Sequence, residues 1–280
     1  MKLGFCTNLC PFSNALMDPA FTDSDAAEFR ENLKAIKAAG YDFVEYPVGL
    51  LRPEKETSEL RLLQVHSLDQ ELVPEVFNCF IPPTLKVVGN NVNTAKIEAY
   101  VKVALERVKK LGAKLVVFGS GAARRTDDDV PHSTVRKQLV DFLRLCGDCA
   151  RQHGLAIVVE PLNRQETNVI NSLSEAGSLV REVNMKEIGI VADLHHMEVE
   201  KEPLSVLKSV SEYVWHAHIA DSDRLVPGSG SYDCRGFFRM LREIRYAGRM
   251  SVECIVSDFG IEIDSAAKFL RRLSTEVDLP

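Results

Sequence analysis

The feature that most limits what this chain can fold into is a rhythm. Short apolar runs alternate with longer amphipathic ones along all 280 residues. The stretches KLGFCT (2–7), DFVEYP (42–47), PEVFNCFIP (74–82), KLVVFGSG (114–121), LAIVVE (155–160), EIGIVAD (187–193), YVWHAHI (213–219) and MSVECIV (250–256) are nearly continuous in apolar character. Strands buried on both faces read this way. Between them lie segments with apolar residues at helical spacing: 23–40, 56–70, 94–112, 135–154, 172–184, a weaker one near 203–211, 231–248 and 263–277. Asp23 or Ser24 is expected to cap the first helix, with Gly40 ending it and Gly112 ending the third. Eight strands alternating with eight helices predict an α/β protein, a single (β/α)8 TIM barrel over 1–280. A doubly wound open sheet is the main competitor, but no GxGxxG motif follows the first strand.

Charge and composition narrow the partners. Lys and Arg number 34 against 40 Asp and Glu, a formal net charge of −6. That balance argues against a broad phosphate-binding surface, so no nucleic acid partner is expected. No apolar run reaches the roughly 18 residues of a membrane-spanning helix, and MKLGFCTNLC lacks the layout of a secretory leader. The seven cysteines are scattered. Cys146 and Cys149 have CxxC spacing but fall inside a helical stretch with no strand before them. Reduced thiols in a cytoplasmic protein are therefore expected.

In a barrel, chemistry gathers at the C-terminal ends of the strands. Glu160 ends LAIVVE, Asp193 ends EIGIVAD, His218 lies near the end of YVWHAHI, and Glu253 lies in MSVECIV. Each falls about one βα unit beyond the last. Taken singly, Glu160 reads equally well as a strand-end carboxylate paired with Arg164, and His218 as a core histidine. Four metal-type residues at four successive strand ends point instead to one shared divalent-metal site. Carboxylates with one imidazole suit Mn²⁺, Co²⁺, Mg²⁺ or Zn²⁺. Polar residues follow at short range: Glu166 after Glu160, His195 and His196 after Asp193, and Arg224 after His218. For Glu166 and Arg224 a solvated loop pair is an equal reading. The glycine-rich PGSGSYD (227–233) permits a loop that closes over a small ligand.

The segments EPLNRQETN, DLHHM, HAHIADSDRLVPGSGSYD and the Glu of SVECIV together resemble the sugar isomerase/epimerase family with xylose-isomerase-like barrels. Within it they are most similar to ketose 3-epimerases of the D-tagatose and D-psicose type. The likeness is close over 154–256 and rests elsewhere on the repeat pattern and on FNCFIPP and VVFGSG. The resemblance implies that Glu160, Asp193, His218 and Glu253 bind one divalent metal, usually manganese or cobalt. It also implies that Glu160 and Glu253 form the acid/base pair, and that Glu166, His196 and Arg224 hold a sugar. Dimers and tetramers are common in the family, and apolar residues on the last helices permit either. This chain departs from the family in reading DLHHM where a DTFHM-like segment is usual, and in placing Asp221 at an acid position. Its first-half specificity residues also differ from the standard set.

Such an enzyme would invert a carbon next to a ketone, removing a weakly acidic proton and returning one to the other face. A metal would serve as Lewis acid for the enediolate, His196 and Arg224 would donate to the developing oxyanion, and two carboxylates would move the proton. Other enzymes can use the same parts: a ketose isomerase, an inosose dehydratase or isomerase, or a keto-glycoside epimerase. An abasic-site DNA endonuclease shares the barrel, but it needs further histidines from early strands. Here strands two to four end in VEYP, FNCFIP and VFGSG, while His66 falls in a helix and His132 just before one. A non-catalytic sugar-binding barrel would not need both Glu160 and Glu253.

Overall fold

The computed structural model describes residues 1–15, 18, 22–55, 72–127 and 129–277. Eight strands, β1 (Lys2–Cys6), β2 (Phe43–Pro47), β3 (Val73–Asn78), β4 (Leu115–Phe118), β5 (Ala156–Val159), β6 (Ile188–Asp193), β7 (Val214–Ile219) and β8 (Arg249–Val252), close into a barrel in sequence order. Each neighbouring pair is parallel, including β8 against β1, where Leu3 pairs with Met250 and Phe5 with Val252. The strand rhythm of the sequence therefore reports a closed (β/α)8 barrel. Helices on the outside include α1 (Asp23–Ala38), α2 (Thr94–Lys110), α3 (His132–His153), α4 (Leu173–Val183), α5 (Leu194–Val199), α6 (Cys234–Glu243) and α7 (Phe259–Glu276). Among the described residues no helix is long and apolar enough to cross a membrane.

Alternation along each strand sorts side chains into two cores. Val44, Tyr46, Phe77, Val116, Phe118, Ile157, Val159, Ile190 and Ile219 point outward into the large core under the helices. Phe43, Val76, Leu115, Val117, Val158 and Val191 fill the barrel interior. Aromatic rings fit inside because glycines face them. A Cβ on Gly4 would lie 2.3 Å from the Phe43 ring, and one on Gly189 2.4 Å from Trp215. The same period of two carries the inward face upward, from Val158 to Glu160, from Val191 to Asp193, from His216 to His218 and from Ser251 to Glu253. Backbone pairing continues past the strand ends, with the Glu160 amide donating to Phe118 O and the Glu253 amide to Ile219 O.

Local ends differ from expectation where a capping side chain decides them. Thr22, not Asp23 or Ser24, caps α1, in a reciprocal capping box with Asp25. Asp258 caps α7, so that helix begins a turn before Ile263. Asp233 caps α6, which is much shorter than 231–248. His132 is the first residue of α3 rather than preceding it. The weak helix near 203–211 is a 3-10 helix, Leu204–Tyr213. The third strand stops at Asn78, and Cys79 turns the chain with a left-handed φ of 46°. Gly40 and Gly112 lie just past α1 and α2 with positive φ, as expected. The helix expected over 56–70, with His66, lies outside the described residues. Cys146 and Cys149 are buried on α3 and unbonded, as are the other five cysteines to any disulfide.

Candidate active site

Barrel closure brings the four strand-end residues together. His218 Nδ1 lies 2.7 Å from Glu160 Oε1, 3.4 Å from Glu253 Oε2 and 3.8 Å from Asp193 Oδ2. One ligand-type atom from each of the four falls within 4.8 Å of the others. All four are buried. Glu160 and Glu253 form part of the floor of a cavity of about 690 Å³, with Asp193 and His218 buried beside them; its walls include Glu166, His196 and Arg224 and, on the opposite side, Asn8, Cys79, Pro82 and Tyr100. Glu160 pairs with His218, whereas Arg164 pairs with Glu200 outside the cavity. The strand-end ion pair with Arg164 is thus not formed.

Burial works against every charge here, and neighbours decide which survive. Burial pushes the Glu160 carboxyl above its ordinary range; His218 opposes the rise by charge and hydrogen bond, and Glu253 and Asp193 add to it. Glu253 is also buried, but His218 and Arg224 outweigh burial and hold it below the ordinary range. Asp193 is drawn down to about 2 despite burial, by His196, His218 and Arg224. Burial disfavours the His218 imidazolium, yet Glu45, Glu160 and Glu253 around it raise its pKa well above the usual value. Two chemically identical carboxylates, Glu160 and Glu253, thereby occupy opposite electrostatic settings. Cys79, exposed on the cavity wall, is held above the ordinary thiol range, to about 12, by desolvation beside the cluster and by the Glu253 and Glu160 carboxylates.

The loop residues form a second tier above this floor. Arg224 Nη2 donates to Glu166 Oε1 at 3.0 Å, and Nη1 reaches Glu253 Oε2 at 3.5 Å. Arg224 thus ties the pair to the cluster, while Glu166 itself stays exposed to solvent. Arg224 is delivered by a loop in which both it and Asp223 take left-handed φ near 57°. Asp221 holds that loop by accepting from the amides of Ser222, Gly228 and Tyr232, each at 2.9 Å. His196 is fixed from behind: Asn163 donates its backbone N–H to His196 Nδ1 at 3.1 Å, with Asn163 Nδ2 at 3.0 Å from the same atom. With Nδ1 accepting, Nε2 is the nitrogen that carries hydrogen. His195 is buried against the His196 and Tyr232 rings.

Several contributors escaped sequence reasoning. Asn8 and Asn78 donate to Glu253 Oε1, at 2.5 and 3.4 Å, from the other side of the barrel seam. Nothing in the sequence marks Asn8, which lies in a loop. Buried Arg124 donates to Glu160 O at 2.7 Å and to Phe118 O at 3.2 Å, fixing the strand end that carries Glu160. Glu45, Ser251 and His216 lie below His218. For Glu45 a cue existed, since a carboxylate inside an apolar, doubly buried strand must have a partner.

Comparison with known proteins agrees with this architecture. The chain is 35% identical over 119 residues to 3-dehydro-D-guloside 4-epimerase of Escherichia coli, a match covering 42% of this chain and 45% of that protein. It is 25% identical over 261 residues to D-psicose 3-epimerase of Agrobacterium fabrum, covering 91% and 88%. The crystal structure of an apo 3-keto-D-glucoside 4-epimerase from E. coli superposes with a TM-score of 0.75 at 23% identity, covering 97% of this chain and 99% of that one. A family profile described as xylose isomerase-like TIM barrel matches residues 33–273. With strands, order and closure of that kind, the chain belongs to the xylose isomerase-like TIM barrel family.

Proposed function

We propose that the whole chain acts as one barrel domain and is a metal-dependent epimerase or isomerase of a ketose or related keto-sugar. The observation that carries this reading is the convergence of Glu160, Asp193, His218 and Glu253 into one buried cluster, two of whose members, Glu160 and Glu253, line the cavity. Glu45, Glu160, Asp193 and Glu253 set four carboxylates against the two cationic side chains Arg224 and His218. Such a buried excess of acid is costly without a further cation, and three carboxylates with one imidazole fit Mn²⁺, Co²⁺, Mg²⁺ or Zn²⁺. Held by Glu160, Asp193, His218 and Glu253, a divalent ion would supply Lewis-acid polarisation of the substrate carbonyl, worth several kcal/mol.

The chain's own residues do the rest. Glu160 and Glu253 act as the acid/base pair, one taking the proton from the carbon beside the carbonyl and the other returning one to the opposite face. Their opposed pKa displacements suit that division of labour. His196 Nε2–H and Arg224 donate to substrate oxygens where negative charge develops, each worth about 2–4 kcal/mol when well placed. Glu166 orients Arg224 and accepts from a sugar hydroxyl. The substrate is a small sugar molecule.

Keto-glycosides are a second reading within the same class, favoured by the 35% identity to a guloside 4-epimerase. One experiment addresses both. Ketohexoses, ketopentoses, inososes and keto-glycosides are incubated with metal-loaded protein in D₂O, and products are followed by NMR. Deuterium at an inverted carbon next to the carbonyl is expected for one class. Dialysis against a chelator should abolish the exchange, and Mn²⁺ or Co²⁺ should restore it. Exchange that persists in protein shown by elemental analysis to be metal-free refutes the metal role, and absence of exchange with every class refutes the epimerase reading.

A further inference from the structure

We propose that Glu45, backed by Ser251 and His216, is a positioning residue that fixes His218 as a nitrogen ligand through Nδ1. This rests on reading the four strand-end residues as a metal centre. Glu45 comes from β2, across the barrel from His218 on β7, and its side chain is fully buried. Its two oxygens are divided between partners. Oε1 lies 3.0 Å from His218 Nε2, while Oε2 lies 3.0 Å from His216 Nε2 and accepts from Ser251 Oγ at 2.6 Å.

The hydrogen bonds dictate the proton positions. An ionised carboxylate only accepts, so the nitrogen facing it must be the N–H nitrogen. His218 therefore points Nε2–H at Glu45 and turns Nδ1 toward Glu160, Asp193 and Glu253. Without a cation Nδ1 also faces a carboxylate, Glu160, and carries hydrogen; an ion bound there takes the place of that proton, while Glu45 keeps hydrogen on Nε2, so the ring presents its Nδ1 lone pair to the ion. His216 obeys the same logic. Its Nδ1 is buried with no hydrogen-bond partner, so the ring is anchored only through Nε2. Ser251, which pairs in register with His218 in the barrel, stops the Glu45 carboxylate from rotating.

Packing alone does not call for this glutamate. Phe43, Val76, Val117 and Val191 line the surrounding interior with hydrocarbon, and an apolar residue at position 45 would avoid the desolvation cost of a buried carboxylate. A competing account is that Glu45, His216 and His218 themselves hold a second cation, since their ligand atoms also lie within 4.8 Å of one another. That arrangement would require both Nε2 atoms to lose hydrogen and Ser251 to give up its bond.

The test measures metal binding by the full-length protein, stripped and then titrated with Co²⁺ or Mn²⁺ in competition with a chromogenic chelator. Urea unfolding of the metal-free proteins and the visible absorption of the Co²⁺ forms are recorded alongside. Wild type is expected to bind one equivalent. Glu45→Gln keeps the shape and removes the charge. It should weaken binding by about 10–100-fold and change the Co²⁺ spectrum, with the metal-free protein still folded. Ser251→Ala should give a smaller loss in the same direction, and it decides the matter if Glu45→Gln does not fold. An unchanged affinity and spectrum in the folded variants, whatever their stability, would show a purely structural role and overturn the proposal. Two equivalents in wild type with one lost in Glu45→Gln would overturn it in favour of the second-cation account. No uptake by wild type removes the metal centre itself, and the proposal falls with it.

Discussion

Gly119 offers a sharp check on whether Glu160 is held where chemistry needs it. It follows β4, and its φ is not in the left-handed region, so alanine there meets no backbone penalty. The obstacle is steric. A Cβ at Gly119 would lie 2.3 Å from Glu160 Oε2, 3.4 Å from its carboxyl carbon and 3.7 Å from Leu162 Cδ2. Restoring an ordinary contact of about 3.5 Å requires Glu160 to retreat by roughly 1 Å. Its other oxygen is bonded to His218 at 2.7 Å, so the retreat must loosen that pair. A misplacement of about 1 Å near reacting atoms costs about 10²-fold, equivalent to ~2.7 kcal/mol of activation free energy. The fold should suffer less. The clash falls on a side-chain end at a cavity wall, and overpacking costs about 1–3 kcal/mol, a fall in Tm of several degrees at most for a domain of this size. The assay is kcat/KM for the best keto-sugar of the panel, with thermal unfolding in parallel. Gly260→Ala, on α7 with nothing within 4 Å of the added Cβ, is the control and should match wild type. A folded Gly119→Ala protein that retains activity within about threefold of wild type would refute the reasoning, because Glu160 would then tolerate displacement.

Three further outcomes are expected. Glu253→Gln can still accept from Asn8 and Asn78, so it should fold normally and lose turnover by at least about 10²-fold; near-normal epimerisation by the pure variant contradicts the acid/base role. Arg224→Ala removes the donors to Glu166 and Glu253 and should raise KM and lower kcat, about 2–4 kcal/mol in kcat/KM. A stability loss in that variant without a kinetic one argues against a substrate role. Asp221 is partly desolvated, but the amides of Tyr232, Ser222, Gly230 and Gly228 hold its carboxyl below the usual range. A depressed folded pKa gives stability that is present above the unfolded value of about 3.9 and lost as pH falls through the folded one. Asp221→Ala should therefore cost about 2 kcal/mol at neutral pH, with a gap to wild type that narrows below about pH 4. Urea unfolding across pH checks this, and a gap constant down to pH 3 speaks against it.

By itself the sequence determined the architecture and the four residues at its centre. Doubly buried strands must be apolar, so a polar residue at a strand end stands out against its own strand. Glu160, Asp193 and His218 were legible for that reason, and the inward parity shared by Val158 and Glu160, or by Val191 and Asp193, follows from a period of two. The short loops after those strands made Glu166, His196 and Arg224 legible as neighbours. Element ends were less so, because Thr22 and Asp258 compete with nearby residues of equal capping chemistry.

What the tertiary structure decided is everything that depends on closing the barrel. Asn8 reaches Glu253 across 245 residues of chain, because β1 pairs with β8. Glu45 meets His218 across 173, facing inward by the same period of two that places Phe43 in the interior. A sequence lists these polar residues without distances between them. Only the closed ring of strands turns a lone buried acid on β2 into the partner of an imidazole on β7.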